Sequence, residues 1–293
     1  MPSALFAQTL KELPCKTVEE AKNLLDKERA RTAALRTELE YRLAEAQAVA
    51  AAAPADHADQ TILMRFAADG VRASIGSGTV IGCSRSESQP GKYACFIFTV
   101  AHFFKGEGQG GTPIDPSNFT VTGKALFEDG EPAVKGLSIK IIGIDREHDV
   151  AIGLMYVDEP LPAAPLPPRG YVPPLGAPVM SAGCSSDVPR PYGESDTCII
   201  AVTPKGVLKT NCAPKEGDSG GGIYDESGHV IGTCMSFSEL KDGTPLNIGN
   251  YAPAEHAYNL VDGLREHAGW TNIGFDKDGY LKVIPKPPRR ITR

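Results

Sequence analysis

Glu216-Gly217-Asp218-Ser219-Gly220-Gly221 is the stretch from which the rest of this chain can be read. A serine set between glycines on a tight turn leaves its Oγ uncovered. The glycine two positions earlier lets the backbone N–H groups of Gly217 and Ser219 point into one small space. That combination is a nucleophile beside an oxyanion hole. Gly-x-Ser alone would read as a glycine-rich turn whose serine bonds its own loop, but six residues in this pattern say more. A serine hydroxyl stays a weak nucleophile until a base takes its proton, so the stretch calls for a histidine and a carboxylate elsewhere.

Both occur in fitting company. Phe98-Thr99-Val100-Ala101-His102 ends an apolar run on a histidine, and Asp149-Val150-Ala151-Ile152 opens another on an aspartate. With Gly-Asp-Ser-Gly-Gly, these motifs stand in the order of the trypsin/chymotrypsin-like serine peptidases, which the chain resembles over residues 61–268. The spacings, 149 − 102 = 47 and 219 − 149 = 70, suit triad members placed in or between two barrels. Gly76-Ser77-Gly78-Thr79-Val80-Ile81-Gly82 resembles the opening of the bacterial high-temperature-requirement-type branch, and nothing resembles the activation site of digestive zymogens.

The resemblance implies roles for particular residues. Ser219 would be the nucleophile, His102 the general base and then acid, and Asp149 the carboxylate that sets the imidazole tautomer, with the N–H groups of Gly217 and Ser219 holding the oxyanion. Asp145 is the rival carboxylate, set aside because it does not open the Val-Ala-Ile run. The pocket floor falls on Ala213 and the wall on Ser236 and Phe237, which implies a modest apolar P1 side chain. Asp218 has no freshly cut amino terminus to meet, so either it takes another partner or its loop orders only with substrate. The implied substrate is a protein or peptide, cleaved without metal or cofactor. Two further readings stay open: a virus-type peptidase that processes its own polyprotein, and a catalytically silent barrel scaffold.

Composition limits the remaining classes. A chain of 293 residues is long enough for a sizeable core, and Gly 31 with Pro 24 suits many short strands joined by turns. A net charge of −6 argues against nucleic acid as a partner. No apolar run reaches the ~20 residues of a membrane helix, and the first residues lack the pattern of a secretory leader. Seven cysteines without Cys-x-x-Cys or His-Glu-x-x-His argue against zinc. The odd count favours free thiols and a reducing compartment such as the cytoplasm, although Cys83/Cys95 and Cys198/Cys212 flank hairpin-like turns and could bridge.

Along the chain, Thr17-Val18-Glu19-Glu20 reads as a capping box for a long helix to about Ala53, whose patchy apolar stripe, thin for a coiled-coil seam, suits a solvated helix leaning one face on the barrels ahead of a partner contact. The expected organisation is mainly β: two six-stranded antiparallel β-barrels of chymotrypsin type, with that N-terminal helix and a C-terminal helix. The boundaries are 1–60 for the helical segment, 61–160 for the first barrel, 161–176 for a proline-rich linker, 177–253 for the second barrel, 254–270 for the terminal helix and 271–293 for a basic tail. First-barrel strands are expected at 61–66, 71–75, 78–82, 93–101, 119–123, 137–144 and 150–155. Second-barrel strands are expected at 179–184, 197–203, 206–211, 221–224, 229–235 and 246–251. Gly106–Gly111 matches Gly-x-Gly-x-x-Gly without a following helix and reads as a loop. His57, His148 and His229 read as solvated.

Overall fold

The computed structural model describes residues 22–23, 25–29, 31–32, 57, 59–68, 71–105, 113–126, 132–185, 190–192 and 197–284. The capping box, most of the expected N-terminal helix, Gly106–Gly111 and the last nine residues, 285–293, lie outside them. Residues 1–53 and 54–293 form two separate units. In the first, residues 22–23, 25–29 and 31–32 are helical, and the Thr32 hydroxyl donates to the Glu28 carbonyl at 2.8 Å.

Among the described residues the second unit is built on two antiparallel sheets of seven strands each, against six-stranded barrels and the seven and six runs expected in them. The first contains β1 (Thr61–Ala68), β2 (Val71–Arg85), β3 (Tyr93–Thr99), β4 (Thr120–Leu126), β5 (Pro132–Ser138), β6 (Lys140–Asp145) and β7 (Val150–Val157). Their order is β5-β4-β1-β2-β3-β7-β6. Two expectations change here. The runs at 71–75 and 78–82 are one strand, because the ladder onto β1 continues through Gly76, Ser77 and Gly78. The run at 137–144 splits at Ile139, with β5 paired to β4 and β6 to β7. Since β5 and β6 end the strand order and only one residue separates them, the sheet must curl until its edges meet.

The second sheet contains β8 (Met180–Gly183), β9 (Arg190–Tyr192), β10 (Ile199–Val202), β11 (Leu208–Thr210), β12 (Gly222–Tyr224), β13 (Val230–Glu239) and β14 (Pro245–Pro253). The strand missed from sequence is β9. It is three residues long, holds Pro191 and lies at the edge, where a missing N–H is tolerated. The periodicity of the terminal helix predicts a stripe of Ala257, Leu260, Val261 and Leu264; helix α1 (Glu255–His267) buries Ala257, Val261 and Leu264 and adds Tyr258, while Leu260 is half-buried. Among the described residues no helix is long and apolar enough to cross a membrane.

Three other expectations are corrected by packing. Residues 273–283, assigned to the tail, form a hairpin of β15 (Ile273–Phe275) and β16 (Leu281–Val283), held because Ile273 and Leu281 are buried in the core between the sheets. His57 is buried, stacked on Tyr224 with centroids 3.8 Å apart, and its Nδ1 lies 3.3 Å from Gln60 Oε1. Cys83 and Cys95, directly opposite in the β2–β3 ladder, form a disulfide, against the expectation of free thiols; Cys198 keeps its thiol, so the second pair is not closed.

Strand β3 explains how the core is organised. Ala94, Phe96 and Phe98 point into the cluster shared with the second sheet, α1 and the hairpin, while Cys95 and Ile97 point into the interior of the first sheet. Strand β7 divides likewise, with Val150, Ile152 and Leu154 on one side and Ala151, Met155 and Val157 on the other. A strand buried on both faces needs an unbroken apolar run, and that is what these stretches are. Phe98→Ala should therefore cost about 3–5 kcal/mol of unfolding free energy. Urea unfolding followed by far-UV circular dichroism measures it, and a loss near zero would contradict this packing.

Candidate active site

The β3–β7 ladder brings together two of the side chains expected in the site. Thr99 lies opposite Ala151. Three residues beyond Thr99 is His102, and two before Ala151 is Asp149, so the antiparallel register alone brings them to the same end of the sheet. His102 Nδ1–H donates to Asp149 Oδ2 at 2.8 Å. Asp149 Oδ1 accepts from the backbone N–H groups of His102 at 2.7 Å and Ala101 at 3.1 Å. Three bonds hold the carboxylate, and the imidazole is left with Nε2 as its acceptor.

Asp149 sits at φ 56°, the sole non-glycine residue in the left-handed region among the described residues. Aspartate enters that region more readily than most side chains, and the strain is held by the bonds to 101 and 102. Asp145, the rival carboxylate, turns instead to His148, whose Nδ1 is 2.7 Å from its Oδ2. Burial pushes the Asp145 carboxyl up, but the hydrogen bonds from the His148 ring and N–H and from Glu147 outweigh it and hold it below the usual carboxylate range. Arg146, between them, donates to the carbonyls of Phe104 at 2.9 Å and Ile114 at 2.7 Å, tying this turn to the loop after His102.

Ser219 arrives from the second sheet and is fixed by the first. Its carbonyl accepts from the Ser77 N–H at 2.7 Å, and the Gly220 N–H donates to the Cys234 carbonyl at 2.8 Å. Gly220, at φ 87°, lies so close to Ser77 and Thr99 that an added Cβ would fall 2.0 Å from Ser77 O and 2.4 Å from Thr99 Oγ1. The serine turn is thus pressed against the residue three before His102. Among the described residues no hydrogen bond joins Ser219 Oγ to the His102 ring. Such bonds are often long in unliganded sites and tighten when substrate binds.

The loop before Ser219 is held by hydrogen bonds to Ser77 of β2 and to Ser185 after β8, as well as within itself. The Ser77 hydroxyl donates to Gly217 O at 2.7 Å and accepts from the Cys184 N–H at 2.8 Å, while Thr99 Oγ1 donates to Ser77 O at 2.7 Å. Asp218 is fully buried, and its carboxylate accepts from the N–H groups of Ser185 at 2.9 Å and Lys215 at 2.8 Å. Of the two outcomes expected for Asp218, it takes other partners, and they are backbone. Gly217 stands at φ 94°, and neither its N–H nor that of Ser219 has a backbone acceptor among the described residues. Both are available to a developing negative charge.

Of the residues expected to line the pocket, Ala213 lies in the loop after β11, and Ser236 and Phe237 lie on β13. Ala213 donates its N–H to Asn247 Oδ1 at 2.9 Å, Ser236 and Phe237 lie opposite Asn250 and Gly249 in the β13–β14 ladder, and Phe237 is 39% exposed. Sequence reasoning gave no role to Ser77, Thr99 or Arg146. Ser77 stood inside a quoted motif, but its contacts run to residues 140 and 107 positions away, beyond any local pattern.

A family profile described as a trypsin-like peptidase domain matches residues 76–232, a span that includes His102, Asp149 and Ser219. The fold is similar to that of a serine endoprotease from Yersinia pestis, at 18% identity and TM-score 0.51, covering 73% of this chain and 65% of that one. It is also similar to the HtrA-type protease AlgW with tripeptide, at 19% identity and TM-score 0.51, covering 73% and 62%. The chain thus spans 62–65% of the length of these structures. No curated protein sequence matches it. Because the Ser77 hydroxyl serves both Gly217 and Cys184, Ser77→Ala should destabilise the chain by about 1–3 kcal/mol. Urea denaturation checks this; a change within a few tenths would mean that the two groups find other partners.

Proposed function

The chain belongs to the trypsin-like peptidase family, and on that footing we propose that it is a serine endopeptidase working through Ser219, His102 and Asp149. What carries the reading is the 2.8 Å contact between His102 Nδ1 and Asp149 Oδ2, with the Ser219 turn docked on Ser77 and Thr99 at the same end of β3.

A peptide laid against β13 brings its scissile carbonyl over Ser219. His102 Nε2 takes the Oγ proton as the C–O bond forms, and Asp149 stabilises the imidazolium through Nδ1–H. The N–H groups of Gly217 and Ser219 donate to the carbonyl oxygen as it becomes an oxyanion, where one donor is worth about 3 kcal/mol. His102 then gives its proton to the leaving amine, and the C–N bond breaks to leave an acyl-enzyme on Ser219. Water, deprotonated by the same nitrogen, attacks that ester; the C–Oγ bond breaks, Ser219 Oγ takes the proton from His102, and the acid is released. Ala213 at the pocket floor, with Ser236 and Phe237 along the wall, selects a modest apolar P1 side chain.

A fluorophosphonate probe should label the chain at Ser219 and fail to label Ser219→Ala. Absence of labelling in the parent chain would favour the scaffold reading. Asp149→Asn should lower kcat about 10⁴-fold near neutral pH, since the amide holds the wrong imidazole tautomer. Cleavage of an unbiased peptide library should show apolar P1 residues, and Ala213→Asp should move that preference toward Lys and Arg; an unchanged preference would remove Ala213 from the pocket.

A further inference from the structure

We propose that Asp145, His148 and His256 form a site for a divalent transition-metal cation of the zinc type, joining the first turn of α1 to the turn between β6 and β7. The three residues each offer a ligand atom, and these atoms lie within 4.8 Å of one another. His148 Nδ1 is 2.7 Å from Asp145 Oδ2, and the His148 and His256 rings stack with centroids 3.9 Å apart at 19°. His256 Nδ1 is shielded from solvent and has no hydrogen-bond partner among the described residues. A buried polar nitrogen left so calls for a partner, and a bound ion would supply one.

The donor set chooses the ion. Two imidazoles and one carboxylate suit zinc and its neighbours, whereas calcium and magnesium need more oxygen ligands than one carboxylate provides. The surrounding charge is favourable, since Asp145, Glu255 and Glu147 all act on His256 as negative neighbours. On binding, the cation takes the place of the proton between His148 Nδ1 and Asp145 Oδ2. That proton moves to His148 Nε2, and the ring stays neutral. Ligand distances of about 2.0–2.2 Å require the stacked rings to turn so that each nitrogen faces the ion, with water completing the tetrahedron.

The consequence reaches the active site, because the turn that carries Asp145 and His148 ends at Asp149. A cation anchoring that turn to α1 restrains the residue that orients His102. No sequence pattern marks the site: two ligands share a turn, but the third comes from a helix beyond the second sheet.

The site is tested on the full chain carrying Ser219→Ala, which prevents self-cleavage, after chelator treatment and dialysis. Titration with Co²⁺ should give visible absorption bands saturating at one ion per chain, and Zn²⁺ should raise the thermal midpoint. Loss of an outer-shell partner alone weakens metal binding about 10–100-fold, so His256→Ala and Asp145→Asn should each weaken Co²⁺ uptake by at least about 100-fold. His256→Gln, which keeps a polar side chain without a strong ligand, serves if the alanine variant does not fold by near-UV circular dichroism. His102→Ala should leave uptake unchanged. Undiminished uptake in a folded His256 variant, loss of uptake in His102→Ala, or no uptake by the parent chain would each overturn the proposal. The readout is binding, so its failure leaves the peptidase reading untouched, as failure of labelling at Ser219 leaves the metal site untouched.

Discussion

Burial of β3 and β7 on both faces is the constraint on which the rest of the molecule depends. Because the two strands fill the interior of the first sheet on one side and the contact with the second sheet on the other, neither can slip in register without turning apolar side chains out of both. The register in turn fixes where the chain leaves β3 and enters β7. A histidine and an aspartate placed just past those ends are thereby held together without any loop having to search for the geometry. The strained backbone of Asp149 is tolerable for the same reason: the strand behind it is immobilised, and three hydrogen bonds hold the carboxylate in front.

The second requirement is that a loop from the other sheet meet this pair, and Ser77 provides the junction. Its N–H, carbonyl and hydroxyl together engage Ser219, Thr99, Gly217 and Cys184, so one residue of β2 holds the carbonyls of both Gly217 and Ser219. With the carboxylate of Asp218 satisfied by backbone N–H groups, the loop needs no charged partner to stay in shape. A free amino terminus is therefore unnecessary for ordering it. The closeness of Gly220 to Ser77 and Thr99 explains why a glycine must follow the serine: any side chain there would push the two sheets apart.

The hairpin and α1 complete the core from outside the two sheets. Ile273 and Leu281 join Phe96, Phe98 and Ile152 on one side and Ala182, Tyr224 and Ala252 on the other. Elements late in the chain thus seal the seam between sheets, and they also bring His256 beside the turn that leads to Asp149.

The amino-acid sequence by itself determined the residue types and their order: a glycine-bounded serine, a histidine closing one apolar run, an aspartate opening another, and the stripe of the C-terminal helix. Those signals are local, because a strand buried on both faces or a helix leaning on one face leaves its period in neighbouring residues. It offered two carboxylates four residues apart, and only the fold gave each its own histidine. Likewise the union of 71–75 with 78–82, the split at Ile139, the edge strand around Pro191, the Cys83–Cys95 bridge, and the burial of His57 were decided by pairing between distant segments. Whether a polar residue such as Ser77 or His256 is exposed, clamped or orphaned depends on what packs over it from elsewhere in the chain, and short-range pattern carries no record of that.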